Sequence, residues 1–264
     1  MNFLKLHRGS APLILSIPHA GTHIPEEFQH ALRSLWLARK DADWWLPELY
    51  QFAEAYDATI LCTEISRTVI DLNRDPSGVS LYPGQATTGL CPTTTFDDEP
   101  LYLAGHEPDD TEILLRRAKY FDPYHETLRA EISRLRGRHH AITIYDCHSI
   151  RSEIPHLFEG LLPNFNIGSN DDRSCDPVIT EKIAAICETE KNFSYVANGR
   201  FKGGYITRHY GNPANGVNAI QMELACRGYM AEPSTPSPAN WPTPLDTSPA
   251  ILPTLRSILE SLLP

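Results

Sequence analysis

The sequence predicts an α/β fold in which one mixed, mostly parallel sheet is flanked by helices. Short apolar runs typical of buried strands recur along the chain, and amphipathic segments with helical periodicity lie between several of them. The length of 264 residues suits one domain of this class. We therefore expect a single domain over residues 1–264.

The predicted strands are short and rich in Ile, Val, Leu and Thr, which fit a buried sheet. They are residues 13–19, 58–63, 68–73, 141–148 and 219–224.

The predicted helices show apolar residues at helical spacing. They are residues 25–40, 43–56, 109–137, 175–190 and 248–263. Segment 109–137 opens with acidic residues and ends at Gly137, as helix termini prefer. Pro123 should kink or break it.

Two segments show no sustained periodicity. Residues 75–108 are rich in Pro, Gly and Thr, and a loop of that length inside a compact domain is usually functional. We expect an active-site loop there. Residues 232–249 are rich in Pro and predict an extended surface arm before the last helix.

Composition excludes several classes of protein. The 23 basic and 33 acidic side chains give a formal net charge of −10, which disfavours nucleic acid and acidic membranes as partners. The N-terminus lacks a signal-peptide pattern and no apolar run is long enough to span a bilayer, so we expect a cytoplasmic protein. The six cysteines form no CxxC pair, which indicates reduced, buried thiols.

Two histidines stand where predicted strands end. His19 closes the run 13–19, and His148 closes the run 141–148. Ligands of open α/β sheets bind beyond the carboxyl ends of the strands, so these imidazoles could converge on a metal. Taken alone, either histidine is more often structural, and only the pair makes a metal site an equal alternative. The third ligand is open at this point, since a carboxylate could come from any of four nearby acids: Glu26, Glu27, Asp41 and Asp43.

The segment "SRTVIDLNRD" carries Arg67 at one end and Asn73 and Arg74 at the other. A guanidinium beside an amide suits capture of a carboxylate. The alternative is a surface ion pair between Asp71 and Arg74 that closes a turn.

A second cationic segment is "NGRFKGGYITRHYGNP", which combines Gly203 and Gly204 with Arg200 and Arg208, among other basic residues. Its glycines lack the spacing of a nucleotide-binding fingerprint. The segment is instead typical of a flexible cationic wall around a small anion.

Glu223 lies in the apolar run "NAIQMELA", where a buried carboxylate is costly unless it is paired or used. A raised pKa would suit it as a general base. The alternative is an edge-strand glutamate that faces solvent. Cys147 precedes His148, but adjacent strand residues point to opposite faces, so this thiol is predicted to be buried structure.

These motifs resemble the N-formylglutamate amidohydrolase family. The resemblance rests on "SIPHAGTHIP", "DLNRDPSG", "LYPGQATTGLCPTTTFDDEPLY", "DCHSIRSEIP", "GRFKGGYITRHYG" and "IQMEL", and covers roughly residues 10–232. It implies hydrolysis of N-formyl-L-glutamate to L-glutamate and formate, the last step of a histidine degradation route. It also implies a divalent metal, usually zinc, with Co²⁺ or Mn²⁺ as substitutes, and a fold like that of zinc carboxypeptidases and aspartoacylases (phosphorylase/hydrolase-like).

The resemblance also implies roles for individual residues. His19 and His148 match its metal histidines; Asp43 is the expected acidic ligand, with Glu26 as second choice. Glu223 falls where the general base stands, and Arg67 would help the metal to stabilise the oxyanion.

A small dianionic substrate is implied, and two sets of residues would bind it. The resemblance gives one carboxylate to Asn73 and Arg74 and the other to Arg151 or Arg208, with Gly203 and Gly204 closing over the substrate.

Three other functions are compatible with parts of this pattern. They are a related zinc deacylase for another N-acyl amino acid, a non-catalytic binder of small acidic metabolites, and a cysteine hydrolase centred on Cys147. Retention of both histidines and Glu223 disfavours a binder, because binding alone needs no general base.

Overall fold

The computed structural model describes residues 3–78 and 89–264. Its centre is one seven-stranded sheet. The strands are β1 (Leu4–His7), β2 (Leu13–Ile17), β3 (Thr59–Thr63), β4 (Ile142–Ile150), β5 (Phe165–Gly168), β6 (Tyr195–Ala197) and β7 (Val217–Ala225).

The strand order is β1-β3-β2-β4-β7-β5-β6. Strand β2 pairs in parallel with β3 and β4, β4 with β7, and β5 with β6, while β1–β3 and β5–β7 are antiparallel. The predicted mixed, mostly parallel sheet is confirmed. Because β2, β4 and β7 are neighbours that run in one direction, their carboxyl ends meet at one edge of the sheet.

Helices cover both faces of the sheet. They are α1 (Glu26–Gln29), α2 (Leu37–Lys40), α3 (Leu46–Leu49), α4 (Asp110–Arg116), α5 (Asp122–Arg136), α6 (Pro177–Thr189), α7 (Tyr205–Tyr210) and α8 (Leu252–Ser261). Successive side chains along a strand point to opposite faces of the sheet, so they contribute to two apolar layers, one on each face. Leu15 and Cys147 pack in the layer that contains α3, α6 and α8, whereas Ile14 and Ile144 pack in the layer that contains α5 and α7.

The prediction of a strand at residues 68–73 is wrong. The segment is buried, but it forms turns instead of pairing with the sheet. Its polar groups bond locally: the Asp71 carboxylate accepts the backbone N–H of Asn73 at 2.9 Å. An apolar run of this length cannot reveal such local bonding. Three short strands, β1, β5 and β6, and the helix α7 were not predicted.

Several predicted helices are shorter than expected. Residues 25–40 form α1 and α2, and residues 43–56 form α3 followed by a 3₁₀ turn. Segment 109–137 is helical between its caps, Asp109 and Gly137, but α4 and α5 are joined by a π-helical turn, Arg117–Phe121, which ends two residues before Pro123. The wider turn accommodates the missing N–H of proline, so the predicted break is a local change of pitch.

The two aperiodic segments differ from expectation in part. Residues 79–88 of the predicted active-site loop 75–108 lie outside the described part of the chain. The Pro-rich segment 232–249 is more than a surface arm, since Trp241 is buried and its indole donates to the Lys40 carbonyl at 2.8 Å. No helix in the described ranges has the length and apolar character that crossing a bilayer requires.

Candidate metal centre and active site

His19, Asp43 and His148 converge at the carboxyl edge of the sheet. His19 lies in the bend after β2, His148 lies within β4, and Asp43 precedes α3. The Asp43 backbone N–H donates to the His19 carbonyl at 3.0 Å, which fixes the two segments together. One potential ligand atom from each of the three buried residues lies within 4.8 Å of the others.

The contacts of His19 determine which ring nitrogen faces the cluster. Its Nε2 lies 2.7 Å from Asp71 Oδ1, and because a carboxylate accepts, Nε2 carries the proton. Nδ1 then presents its lone pair 3.8 Å from Asp43 Oδ2, and it has no hydrogen-bond partner among the described residues. Burial and the neighbouring Arg67 lower the pKa of His19, which favours the neutral form that binds metals.

His148 lies between two carboxylates. Its Nδ1 is 3.1 Å from Asp43 Oδ2, and its Nε2 is 3.1 Å from Asp146 Oδ2. Burial disfavours protonation, but Asp146 and Asp43 outweigh it and raise the pKa of His148 well above its ordinary value. The ring therefore lies where a positive charge is strongly favoured, and a cation can supply that charge in place of a proton.

The three side chains fit a divalent cation. Two imidazoles and a carboxylate are a common protein ligand set of catalytic zinc. Asp43 Oδ1 and His19 Nδ1 are buried with no hydrogen bond in the described residues, which is costly unless a ligand satisfies them. These residues could hold a metal, and they include the predicted acidic ligand Asp43.

The other acids considered lie elsewhere. Glu26 and Glu27 are exposed on α1, and Glu27 pairs with Lys119 at 2.7 Å. Asp41 accepts the Phe96 backbone N–H at 2.7 Å. None of these three belongs to the cluster that the structure brings together.

Arg67 links the metal cluster to Asp71. Its Nη2 lies 2.7 Å from Asp71 Oδ2, its Nη1 lies 3.7 Å from Asp43 Oδ1, and its guanidinium stacks on the Phe96 ring at 4.7 Å. Although burial opposes the charge of Asp71, His19 and two arginines hold its pKa well below the usual range. The Asp71–Arg74 distance is 3.5 Å, but Asp71 is completely buried, so a surface ion pair is the wrong interpretation.

Asn73 is held in place by protein groups. Its amide Oδ1 accepts the backbone N–H of Ile206 at 2.7 Å, and its Nδ2 donates to Asp146 at 3.0 Å and lies 2.8 Å from His148 Nε2. It lines the cavity beside Arg74, and its amide also contacts both His148 of the metal cluster and the Asp146 carboxylate behind that histidine.

Glu223 stands next to His148 across β4 and β7, where the two residues are paired in register. Its exposed fraction is 6%, so the edge-strand interpretation is wrong. Burial raises the pKa of Glu223 to about 7; the charge of Asp43 adds to the shift and His148 offsets part of it. Gln221 donates to Glu223 Oε2 at 2.9 Å and accepts the Gly204 backbone N–H at 2.7 Å. Glu223 can thus take and release a proton near neutrality.

A cavity opens above this cluster. Its lining residues are His19, Arg67, Asn73, Arg74, Phe96, His148, Ile150, Leu157, Arg200, Phe201, Gly204, Gln221 and Glu223.

Two arginines predicted to bind substrate are placed differently. Within the described ranges, the lining includes neither Arg151 nor Arg208, and of the two glycines it includes Gly204 but not Gly203. Arg151 Nη2 lies 2.6 Å from Asp97 and 3.6 Å from Asp41. Arg208 donates to the Gly203 carbonyl at 2.8 Å and so stabilises the turn that contains the two glycines.

Six lining residues were not assigned an individual role from sequence, although Arg200 belongs to the predicted cationic segment. They are Phe96, Ile150, Leu157, Arg200, Phe201 and Gln221. Gln221 had a detectable signal, because it alternates with Glu223 on the same face of β7. Phe96 and Arg200 lie in irregular segments, where no periodicity predicts the direction of a side chain.

Cys147 has the environment of a structural thiol. It is completely buried in the opposite apolar layer, and burial raises its pKa well above the ordinary value. A thiolate nucleophile would require the reverse.

Comparison with known proteins shows the family. Residues 11–230 match the family described as N-formylglutamate amidohydrolase. The chain belongs to the N-formylglutamate amidohydrolase family.

Named enzymes of this family from two bacteria are similar to most of the chain. The N-formylglutamate deformylase of Pseudomonas putida is 46% identical over 229 residues, which cover 87% of this chain and 85% of that protein. The N-formylglutamate deformylase of Pseudomonas aeruginosa is 43% identical over 260 residues, covering 98% and 96%.

The fold also matches a solved structure with the family name. The crystal structure of N-formylglutamate amidohydrolase from Ralstonia eutropha JMP134 superposes with a TM-score of 0.80 at 23% identity, covering 99% of this chain and 96% of that one. This chain therefore shares its fold, a mixed sheet with flanking helices, with the Ralstonia protein.

Proposed function

We propose that this chain hydrolyses N-formyl-L-glutamate to L-glutamate and formate at a divalent metal, zinc in the first instance. The observation that carries the proposal is the convergence of His19, Asp43 and His148 within 4.8 Å, beside the buried Glu223. The names of the two Pseudomonas relatives, at 46% and 43% identity, support this substrate.

His19 Nδ1, His148 and Asp43 would hold the cation. When bound, it supplies a Lewis acid that polarises the formyl carbonyl and acidifies a water molecule. His19 is oriented for this role by Asp71 and His148 by Asp146, the carboxylate–histidine arrangement that sets ring orientation and basicity in many metal sites.

Glu223 is the proposed general base. It accepts a proton from the attacking water and returns it to the nitrogen that leaves as the amine of glutamate. Its raised pKa allows both transfers, and the Gln221 amide holds one oxygen of this carboxylate at the wall of the cavity. Arg67, buried beside Asp43, contributes positive charge where the carbonyl oxygen becomes negative.

Arg74 is the proposed ligand of the substrate's α-carboxylate. It lines the cavity next to Asn73, which is fixed by Ile206 and Asp146. A guanidinium can bind a carboxylate through two parallel hydrogen bonds, which positions the formamide over the metal cluster.

The resemblance to the family also supports four further parts of the proposal. The chain would form a single domain with a fold of the zinc carboxypeptidase and aspartoacylase type. The reaction would be the last step of histidine degradation and would take place in the cytoplasm. The rival deacylase would act on another N-acyl amino acid with the same metal and base.

The test is formate release from N-formyl-L-glutamate by the purified protein. We expect turnover that is lost after dialysis against a chelator and restored by added zinc, and a much lower rate with N-acetyl-L-glutamate. Faster turnover of the acetyl compound would support the rival deacylase. Turnover that is insensitive to the chelator but blocked by a thiol reagent would contradict the metal mechanism.

A further inference from the structure

From the lining of the cavity we infer that Arg200 binds the side-chain carboxylate of the substrate, and so restricts the enzyme to dianionic N-formyl amino acids. The inference rests on the proposed function and names a specificity-determining residue for it. Sequence reasoning gave the second carboxylate to Arg151 or Arg208, which lie outside the described cavity lining.

Arg200 reaches the cavity from a segment of its own. It lies between β6 and α7, and it lines the same cavity as His19, His148 and Glu223. Its Nε donates to the Leu157 carbonyl at 3.2 Å. This contact restricts the plane of the guanidinium at the wall of the cavity.

The segment that carries Arg200 is anchored on both sides, and before Arg200 the Asn198 backbone N–H donates to the Ile167 carbonyl at 2.7 Å. The Asn170 backbone N–H donates to the backbone carbonyl of Lys202 at 2.7 Å, a contact that does not involve the Lys202 side chain. Further on, Arg208 donates to the Gly203 carbonyl at 2.8 Å. These contacts hold the backbone around Arg200, so less conformational freedom is lost when the guanidinium binds a ligand.

The other two lining guanidiniums form a separate group. Arg67 and Arg74 come from one segment and lie 2.7 Å and 3.5 Å from the same carboxylate, Asp71. Both guanidiniums therefore interact with Asp71, the carboxylate that orients His19. A dianion needs a second cation from another part of the cavity, and Arg200 supplies it.

Apolar side chains complete the subsite. Phe96, Ile150, Leu157 and Phe201 line the same cavity as Arg200. They would contact the methylenes that separate the two carboxylates of a glutamate. Arg151 pairs with the carboxylates of Asp97 and Asp41 and is not part of this lining within the described ranges.

The experiment compares N-formyl-L-glutamate with its neutral near-isostere, N-formyl-L-glutamine. The wild type should favour the glutamate by on the order of 10²-fold in kcat/KM, because the amide cannot form the charged pair. Arg200→Met should lower kcat/KM for the glutamate by on the order of 10²-fold while changing that for the glutamine by less than about threefold. Preserved turnover of the glutamine also shows that the variant is folded.

Two further variants sharpen the comparison. Arg200→Lys keeps a charge but not the two-pronged geometry, and should retain part of the preference for glutamate. Lys202→Met removes a charge two residues away that pairs with Asp171, and should behave as the wild type.

An equal loss with both substrates, or an unchanged preference in Arg200→Met, would overturn the inference. Wild-type turnover of N-formyl-L-glutamate reports separately on the proposed function. If the wild type does not hydrolyse it, calorimetric binding of the two compounds gives the same comparison: a preference that Arg200→Met abolishes supports the subsite, and a preference that it leaves intact contradicts it.

Discussion

His19 Nε2 lies 2.7 Å from Asp71 Oδ1, with both side chains buried at the carboxyl edge of the sheet. This contact leaves Nδ1 facing Asp43 and His148. The orientation of one proposed metal ligand therefore depends on a residue that is not itself in the cluster.

Asp71→Asn should weaken zinc binding by about 10- to 100-fold, because the neutral amide orients His19 less firmly and lowers its basicity. The affinity is measured by competition with a chromogenic chelator. Asp75→Asn is a matched control four residues on, where the carboxylate bonds the exposed Ser77. Equal affinities in Asp71→Asn and Asp75→Asn would contradict the role of Asp71.

Glu223→Gln should lower turnover by about 10²- to 10⁴-fold while the protein keeps its metal, because the amide cannot take a proton from water. Formate release and metal content are measured on the same preparation. A variant that loses the metal would show that Glu223 is a ligand, and one that stays active would remove it from the mechanism.

The sequence predicts which residues lie together at the centre of the candidate site. Parallel neighbours must end at one edge of a sheet, so His19, His148 and Glu223 could be expected to meet once their strands were recognised. The alternation of side chains also placed Cys147 in the core, away from His148.

The sequence predicts irregular segments poorly. Residues 68–73 were predicted as a strand because they are rich in Thr, Val, Ile and Leu, yet a local hydrogen bond to Asp71 helps to turn the chain instead. The sequence did not predict the direction of the Arg200 side chain, because that direction depends on a contact with Leu157 and on the distant turn around Asn170. Such tertiary contacts leave no periodicity in the sequence.

His125 should make folding sensitive to acid. Its Nε2 donates to the Leu72 carbonyl at 2.9 Å, Tyr210 donates to its Nδ1 at 2.9 Å, and burial lowers its pKa to about 3. The unfolded chain binds a proton below about pH 6.5, whereas the folded chain does not until about pH 3. Stability from the neutral imidazole is therefore complete above pH 6.5 and lost as the pH falls toward 3.

The measurement is urea unfolding of the wild type and His125→Gln at pH 8 and pH 5. The stability advantage of the wild type should shrink by about 2 kcal/mol between these pH values. An advantage that is independent of pH would show that His125 is not held neutral in the folded state.

The indole of Trp45 ties the Pro-rich segment 232–249 to the segment that carries Asp43. It donates to the Thr243 carbonyl at 2.9 Å. Trp45→Phe should therefore destabilise the protein by about 1 kcal/mol through the lost hydrogen bond. Trp44→Phe is the matched control, since the Trp44 Nε1 is buried with no partner in the described ranges. Urea unfolding at neutral pH compares the two, and equal losses would contradict a tethering role for Trp45.

The central claim is that His19, Asp43 and His148 together bind one divalent cation. The most direct measurement is the metal-to-chain ratio, determined by mass spectrometry on the purified wild type and on His19→Ala, Asp43→Ala and His148→Ala, with circular dichroism to confirm folding. We expect about one metal ion per wild-type chain, as in other single-metal hydrolytic sites, and near-complete loss in each folded variant. A wild type that takes up no metal, or folded variants that keep a full complement, would contradict the account.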